Sequence, residues 1–280
     1  YLYHKRKFIE TTAHYINQYD EILNDKILFW GEWEPESLAR VITPHQIKSS
    51  KFPQNIHNPL LITNTNGKIV TNREFIAKNN KFHCQNTDPF VFGKNFYYSI
   101  CQQGKSNGQI KNLANGSIIL FGSKRGGSAN PYFALDTVFV VAGYRKYTTK
   151  NYKKKLKGFV PNEYPEIMGI DLWEDAFKDN NNFKRICCCK PGNPNGNPIQ
   201  YTCYQGASYS NPIYGMYSFV PCVLSKTNPQ GFERIKLTEA DFNNIGITIP
   251  KKGIFNNKLN QHFKITITNI QDNKKIWDKL

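Results

Sequence analysis

Acidic residues are scarce in this chain. Across 280 residues, 21 Asp and Glu stand against 37 Lys and Arg, a net charge of +16. That imbalance points to an anionic partner, most often nucleic acid. Long apolar runs are missing too. Stretches such as Leu135 to Ala142 are interrupted by polar residues and fall well short of the roughly 20 apolar residues a membrane helix needs, so no membrane partner is expected. The N-terminus lacks the charged, apolar and small-residue sections of a signal peptide. Its first residue is Tyr1 and not Met, so further residues are expected upstream. Neither an internal repeat nor a clean linker divides the chain. The expectation is one domain over 1–280, with loop insertions at about 44–81 and 144–200, long enough for a full hydrophobic core.

Paired-cysteine spacing is absent as well. The seven cysteines are odd in number, and Cys187, Cys188 and Cys189 are adjacent, which fits no disulfide framework. Adjacent residues alternate sides of a strand and rarely share one ion, and Cys203 and Cys222 complete no CxxC knuckle. The reading is reduced, mostly buried thiols in a cytoplasmic protein, with no metal and no cofactor.

What is present is β signal. Residues 1–33 read as two strands around a polar turn at 17–25, and Phe90 to Ile100 as an aromatic strand. Gly116 to Phe121 and Tyr132 to Ala142 read as strands joined by a Gly/Ser loop, and Tyr201 to Tyr204 and Ile213 to Val220 as later ones. A short helix is predicted at 110–114, a weak one around 167–177 and a terminal one at 271–280. Thr238 with Asp241 three residues on has capping-box spacing. Residues 191–198 are all Gly, Pro or Asn, which continues neither helix nor central strand. The pattern predicts an α+β fold with a β-rich, mixed or antiparallel barrel-like core, short peripheral helices and long loops.

Two resemblances attach to particular residues. Trp30-Gly-Glu-Trp-Glu-Pro-Glu-Ser37, Gln85 to Gly93, Gly116 to Ser123, Leu135 to Val141 and Gly215 to Cys222 together resemble a group of bacterial proteins of no assigned activity. Leu113 to Phe121, followed by Phe133 to Val141, resembles the hairpin unit of the PUA-like superfamily (ASCH, EVE and YTH domains), although its turn is not basic. The second resemblance implies a small barrel that binds RNA or a modified nucleobase. Some ASCH members act enzymatically on RNA or nucleosides.

Candidate sites follow from residue chemistry. Arg145, Lys146, Lys150, Lys153, Lys154, Lys155 and Lys157 crowd one acid-free segment with Tyr144, Tyr147 and Tyr152 interleaved. That mixture suits phosphate contact with base stacking. A solvated basic loop explains it too, and 30 of the 37 basic residues are Lys, as AT-rich codons would produce. Ser123, Lys124 and Arg125 begin a basic glycine loop able to hold a phosphate, without the spacing of a P-loop. Trp30 and Trp33 flank Glu32 and would sandwich a base only if Gly31 bends the strand; otherwise at least one is core. Asn86 and Thr87 have turn chemistry and could read a base edge. His83 beside Cys84, with Cys101 after the next strand, would serve nucleophilic catalysis only if they converged, and core thiols are the simpler account. Tyr209 and Tyr214 sit in an aromatic, Gly/Ser/Asn-rich stretch typical of recognition surfaces. Glu32, Asp88 and Asp136 are the candidate catalytic acids, although no DxD or ExK spacing joins them.

The leading expectation is a cytoplasmic nucleic-acid-binding protein, with an aromatic pocket for a base and a basic surface for phosphates. Its alternatives are an enzyme on nucleic acid or nucleotides (a nuclease or a base- or nucleotide-modifying enzyme) and a subunit docking on an acidic protein partner.

Overall fold

The computed structural model describes residues 5–16, 19, 21–33, 62–63, 69–70, 90–92, 95–100, 103, 109–127, 129–148, 150–162, 164–167, 199–224, 232–249, 267 and 269–280. The chain divides into two compact units, Tyr1–Lys111 with Tyr144–Gln205, and Asn112–Gly143 with Gly206–Leu280.

In the first unit, β1 (Lys5–Ile16) and β2 (Ile22–Trp33) form an unbroken antiparallel ribbon from Lys5 opposite Trp33 to Ile16 opposite Ile22. A smaller ribbon joins β3 (Ile62–Thr63) and β4 (Ile69–Val70). The aromatic stretch predicted as one strand is two: β5 (Phe90–Phe92) folds back on β6 (Asn95–Tyr98), with Phe92 opposite Asn95. β6 pairs with β9 (Gln200–Gly206), and β9 lies beside the last part of β8 (Tyr132–Thr148). A 3-10 turn spans Gln109–Asn112, near the predicted helix, and α1 (Tyr152–Leu156) and α2 (Tyr164–Ile167) follow β8.

This unit's interior is built from tyrosine. Tyr97, Tyr98, Tyr147, Tyr152, Tyr164, Tyr201 and Tyr204 are all buried, with Cys203 among them. A buried phenol gains from a hydrogen-bond partner, and two of these have strong ones. The Tyr164 hydroxyl donates to Ser99 Oγ at 2.8 Å, and the Tyr204 hydroxyl donates to the Ile110 carbonyl at 2.7 Å. The Gln103 amide locks onto the Thr202 backbone, donating to its carbonyl at 2.8 Å and accepting from its N–H at 2.7 Å. Burial raises the Cys203 thiol above its usual range and keeps it protonated.

In the second unit, β7 (Ile118–Arg125) and the first part of β8 make a hairpin that turns at Gly126, whose φ of +76° and contact with the Asn130 carbonyl admit no side chain. β11 (Phe232–Leu237) flanks β8 on its other edge, with Leu135 opposite Ile235, and β10 (Cys222–Leu224) pairs with β11. Thr238 and Asp241 form the predicted capping box of α3 (Glu239–Asn244), and α4 (Ile270–Asp278) is capped by the Asn269 side chain. Phe133, Leu135, Val138, Leu237, Phe242, Ile245, Ile247, Ile249 and Ile276 make one buried apolar cluster. Each such side chain contributes about 1.5–3 kcal/mol of transfer free energy.

All strand pairings among the described residues are antiparallel, so this part of the fold is β-rich with few short helices. The predicted barrel does not close. Strand order ends at β5 in the first unit and at β10 and β7 in the second, leaving an open ladder among the described residues. Among those residues, no helix is long and apolar enough to cross a membrane.

Candidate nucleic-acid interface

The segment predicted as a basic loop is ordered structure with a buried side. β8 continues to Thr148, and alternation along it sets Arg145 and Tyr147 on one face and Tyr144 and Lys146 on the other. Tyr147 stacks on Tyr201 with ring centroids 5.9 Å apart, while Tyr144 leans against Tyr204 at 6.3 Å. The Asn151 side chain accepts from the Thr148 N–H at 2.8 Å and turns the chain into α1. Tyr152 and Leu156, four apart, share one helix face and are both buried. Gly158, with φ of +70°, ends the basic turn. The sequence therefore folds locally because three apolar anchors, Tyr147, Tyr152 and Leu156, pin a strand end and one helical turn.

What those anchors leave outside is cationic. Arg145, Lys146, Lys150, Lys153, Lys154, Lys155 and Lys157 are all exposed. No ion-pair partner stands at Lys150, Lys154, Lys155 or Lys157 among the described residues. The Arg145 guanidinium lies over the Phe159 ring at 5.1 Å, a platform that sequence inspection missed because it depends on the turn at Gly158. Lys111, nearer the interior, sits 5.9 Å from the Tyr201 ring, and burial lowers its ammonium below the usual value.

Ser123, Lys124 and Arg125 do not lie in a glycine loop. They are ladder residues at the end of β7, opposite Ala134, Phe133 and Tyr132, because the pairing with β8 continues through them. Just before them, the register breaks. Phe121 faces Thr137 and Gly122 faces Leu135, so Asp136 is the extra residue of a β-bulge. A Cβ at Gly122 would collide with the Ala134 carbonyl and the Phe133 ring, so only glycine permits this close approach. Asp136 is only 8% exposed, and among the described residues the buried Thr137 hydroxyl beside it has no hydrogen-bond partner. A carboxylate at a bulge is re-aimed out of the strand's alternation, an arrangement common beside active sites.

In the second unit the stretch predicted as a strand at 213–220 is instead the second of two tandem tight turns and the residues after it. Ser208–Asn211 and Ile213–Met216 each close with reciprocal backbone hydrogen bonds of 2.8–3.3 Å. Tyr214 and Gly215, with φ of 50° and 75°, make a type I′ turn, which no strand accommodates. The turns hold Tyr209 54% and Tyr214 60% exposed. Tyr209 meets Tyr217 edge-on at 5.1 Å, and Tyr217 meets Trp277 at 4.8 Å. The Trp277 indole donates to the Tyr217 carbonyl at 2.9 Å. Tyr214 lies against Gly116, where a Cβ would press its ring.

The other predicted residues are placed less fully. Trp30, Glu32 and Trp33 are on β2 opposite Phe8, Arg6 and Lys5. Pairing runs unbroken through Gly31. His83, Cys84, Asn86, Thr87, Asp88, Cys101, residues 187–198 and most of 167–177 lie outside the described residues. Among the described residues, no three His, Cys, Asp or Glu side chains gather as a metal site would require.

No protein-family model, curated protein or solved structure matches this chain.

Proposed function

We propose that this protein binds nucleic acid, with phosphates contacting the cationic surface made by the end of β8 and α1. The observation that carries the reading is the sorting of residues 145–157. Tyr147, Tyr152 and Leu156 are buried, while Arg145, Lys146, Lys150, Lys153, Lys154, Lys155 and Lys157 are exposed, with no acid among them. Codon bias would raise Lys throughout the chain, whereas seven cations and no acid within the thirteen residues 145–157 are a local excess over it. Charge of this density attracts a polyanion and makes its binding salt-dependent. In this reading the PUA-like resemblance of 113–141, which falls on the β7–β8 hairpin, agrees with an RNA ligand. The test is fluorescence anisotropy on labelled RNA and DNA across a salt series. Binding that weakens steeply with salt, and by about tenfold or more in a Lys153→Glu, Lys154→Glu, Lys155→Glu variant, supports the reading. Binding that is flat in salt or unchanged in the variant removes it.

One observation favours a second reading, an enzyme acting on nucleic acid or nucleotides. Asp136 is a buried carboxylate at a bulge, next to the Thr137 hydroxyl, which has no hydrogen-bond partner among the described residues. Under this reading Asp136→Asn abolishes turnover of a nucleic-acid or nucleotide substrate while the melting curve stays cooperative.

A further inference from the structure

We propose that the ligand of this cationic surface is the sugar-phosphate backbone of a duplex, DNA or RNA, and neither a run of unpaired bases nor a free nucleotide. The inference rests on the nucleic-acid reading above and narrows it through three features of the same segment.

The first is the loss of the stacking platforms. Single strands are held by aromatic faces on which successive bases lie, alongside cations that track the backbone. Here Tyr147 and Tyr152 are buried, and Arg145 covers the Phe159 ring at 5.1 Å. Tyr144, 46% exposed and leaning on Tyr204, is the one open ring left on the described part of the segment. A single ring cannot hold a run of bases.

The second is divergence. At about 100° per residue, Tyr152 and Leu156 set the inward direction of α1, Lys154 points opposite to it, and Lys153 and Lys155 splay about 80° to either side. Arg145 and Lys146 likewise leave opposite faces of β8. A lone phosphate or a nucleotide needs donors that converge. Splayed cations suit an extended array, and a duplex supplies one phosphate charge about every 1.7 Å along its axis.

The third is chemical type. Six of the seven cations in this segment are Lys, a flexible point charge with no fork to match a base edge. Bidentate reading of guanine is the work of Arg above all. The one Arg present is laid over Phe159. The surface therefore contacts backbone and is indifferent to sequence.

The experiment measures anisotropy of the full chain on labelled duplex DNA, duplex RNA and a single strand of equal length. ATP serves as competitor, and phosphatidylserine vesicles are tested in a separate sedimentation arm. The expected result is a duplex preference of about tenfold over single strand, equal affinity for unrelated sequences and no displacement by ATP. The DNA and RNA duplexes together show whether helix form matters. Lys154→Ala with Lys155→Ala lowers the slope of log affinity against log salt by about two, one per lost phosphate contact. Tyr144→Ala leaves duplex affinity within about twofold. Tighter binding of the single strand, displacement by ATP, a strong effect of Tyr144→Ala, or vesicles bound more tightly than duplex each overturns the duplex proposal. Absence of binding to every nucleic acid by protein with an intact melting transition overturns the nucleic-acid reading itself, which separates the two failures.

Discussion

The two units solve the problem of an interior with opposite materials, and one strand feeds both. The first part of β8 brings Phe133, Leu135, Val138 and Val140 into an aliphatic and phenylalanine-rich core. Its last part sets Tyr147 against Tyr201 inside a tyrosine-rich interior. Aliphatic burial is non-directional, so that unit tolerates small shifts and loses stability in proportion to volume removed. The tyrosine interior is directional. The Tyr164 hydroxyl on Ser99 and the Tyr204 hydroxyl on the Ile110 carbonyl are each satisfied in one geometry, and breaking such a bond strands a buried polar group. One unit is held by volume, the other by matching.

The difference can be broken in four ways. Phe242→Ala, at the centre of the apolar cluster and against the Phe133 ring at 5.8 Å, removes the most volume and is expected to cost about 3–5 kcal/mol in denaturant unfolding. Tyr164→Phe removes a single oxygen yet leaves the Ser99 hydroxyl without its donor, at about 1–3 kcal/mol. If that variant is as stable as the parent, matching does not hold the first unit.

Alkali separates the units without mutation. Burial raises Tyr164 well above its ordinary value of 10.0, and burial also raises Tyr97. Unfolded chains release these protons first, so the stability they support is full below about pH 10 and is lost as pH climbs beyond it. Hydrogen exchange resolved by region should show the first unit opening before the second. Simultaneous opening would mean that the two unfold as one.

The smallest effect is local. Thr238→Ala removes the capping box of α3 and should cost about 1 kcal/mol. The Thr238 hydroxyl and backbone hold the Asp241 carboxyl below its usual value. Its contribution is therefore present at neutral pH and fades as pH falls below the ordinary aspartate range. Thermal melts of Asp241→Asn should lose that acid-side slope.

What was legible in the sequence was local. The capping box, the β7–β8 hairpin, the terminal helix and the β1–β2 ribbon each announce themselves within a few residues of their own turn or cap. What was not legible depends on partners far along the chain. Ile213 to Val220 has the apolar content of a strand, but Tyr214-Gly215 reverses it, and that dipeptide was the one available signal. Ser123 to Arg125 looked like loop because a strand's length is set by what pairs with it, here Tyr132 to Ala134. Asp136 was visible as an acid in an apolar run; its place at a bulge was not, since register is a property of two strands. At the interface, the charges were plain to read. The inward direction of Tyr147 and Tyr152 was not, because their burial is decided by tertiary packing, by Tyr201 in the case of Tyr147.

The pairing of β8 has a consequence for how the protein is made. Leu135 meets its neighbour Ile235 a hundred positions later, and α4 supplies Ile276 to the same cluster later still. At about 5–20 residues per second of synthesis, the β7–β8 hairpin waits roughly 5–20 s on the ribosome with one edge and an apolar face uncovered. Nascent chains of this protein should therefore be clients of cotranslational chaperones, and slow codons between Gly143 and Gly206 would lengthen that exposure without changing a single residue.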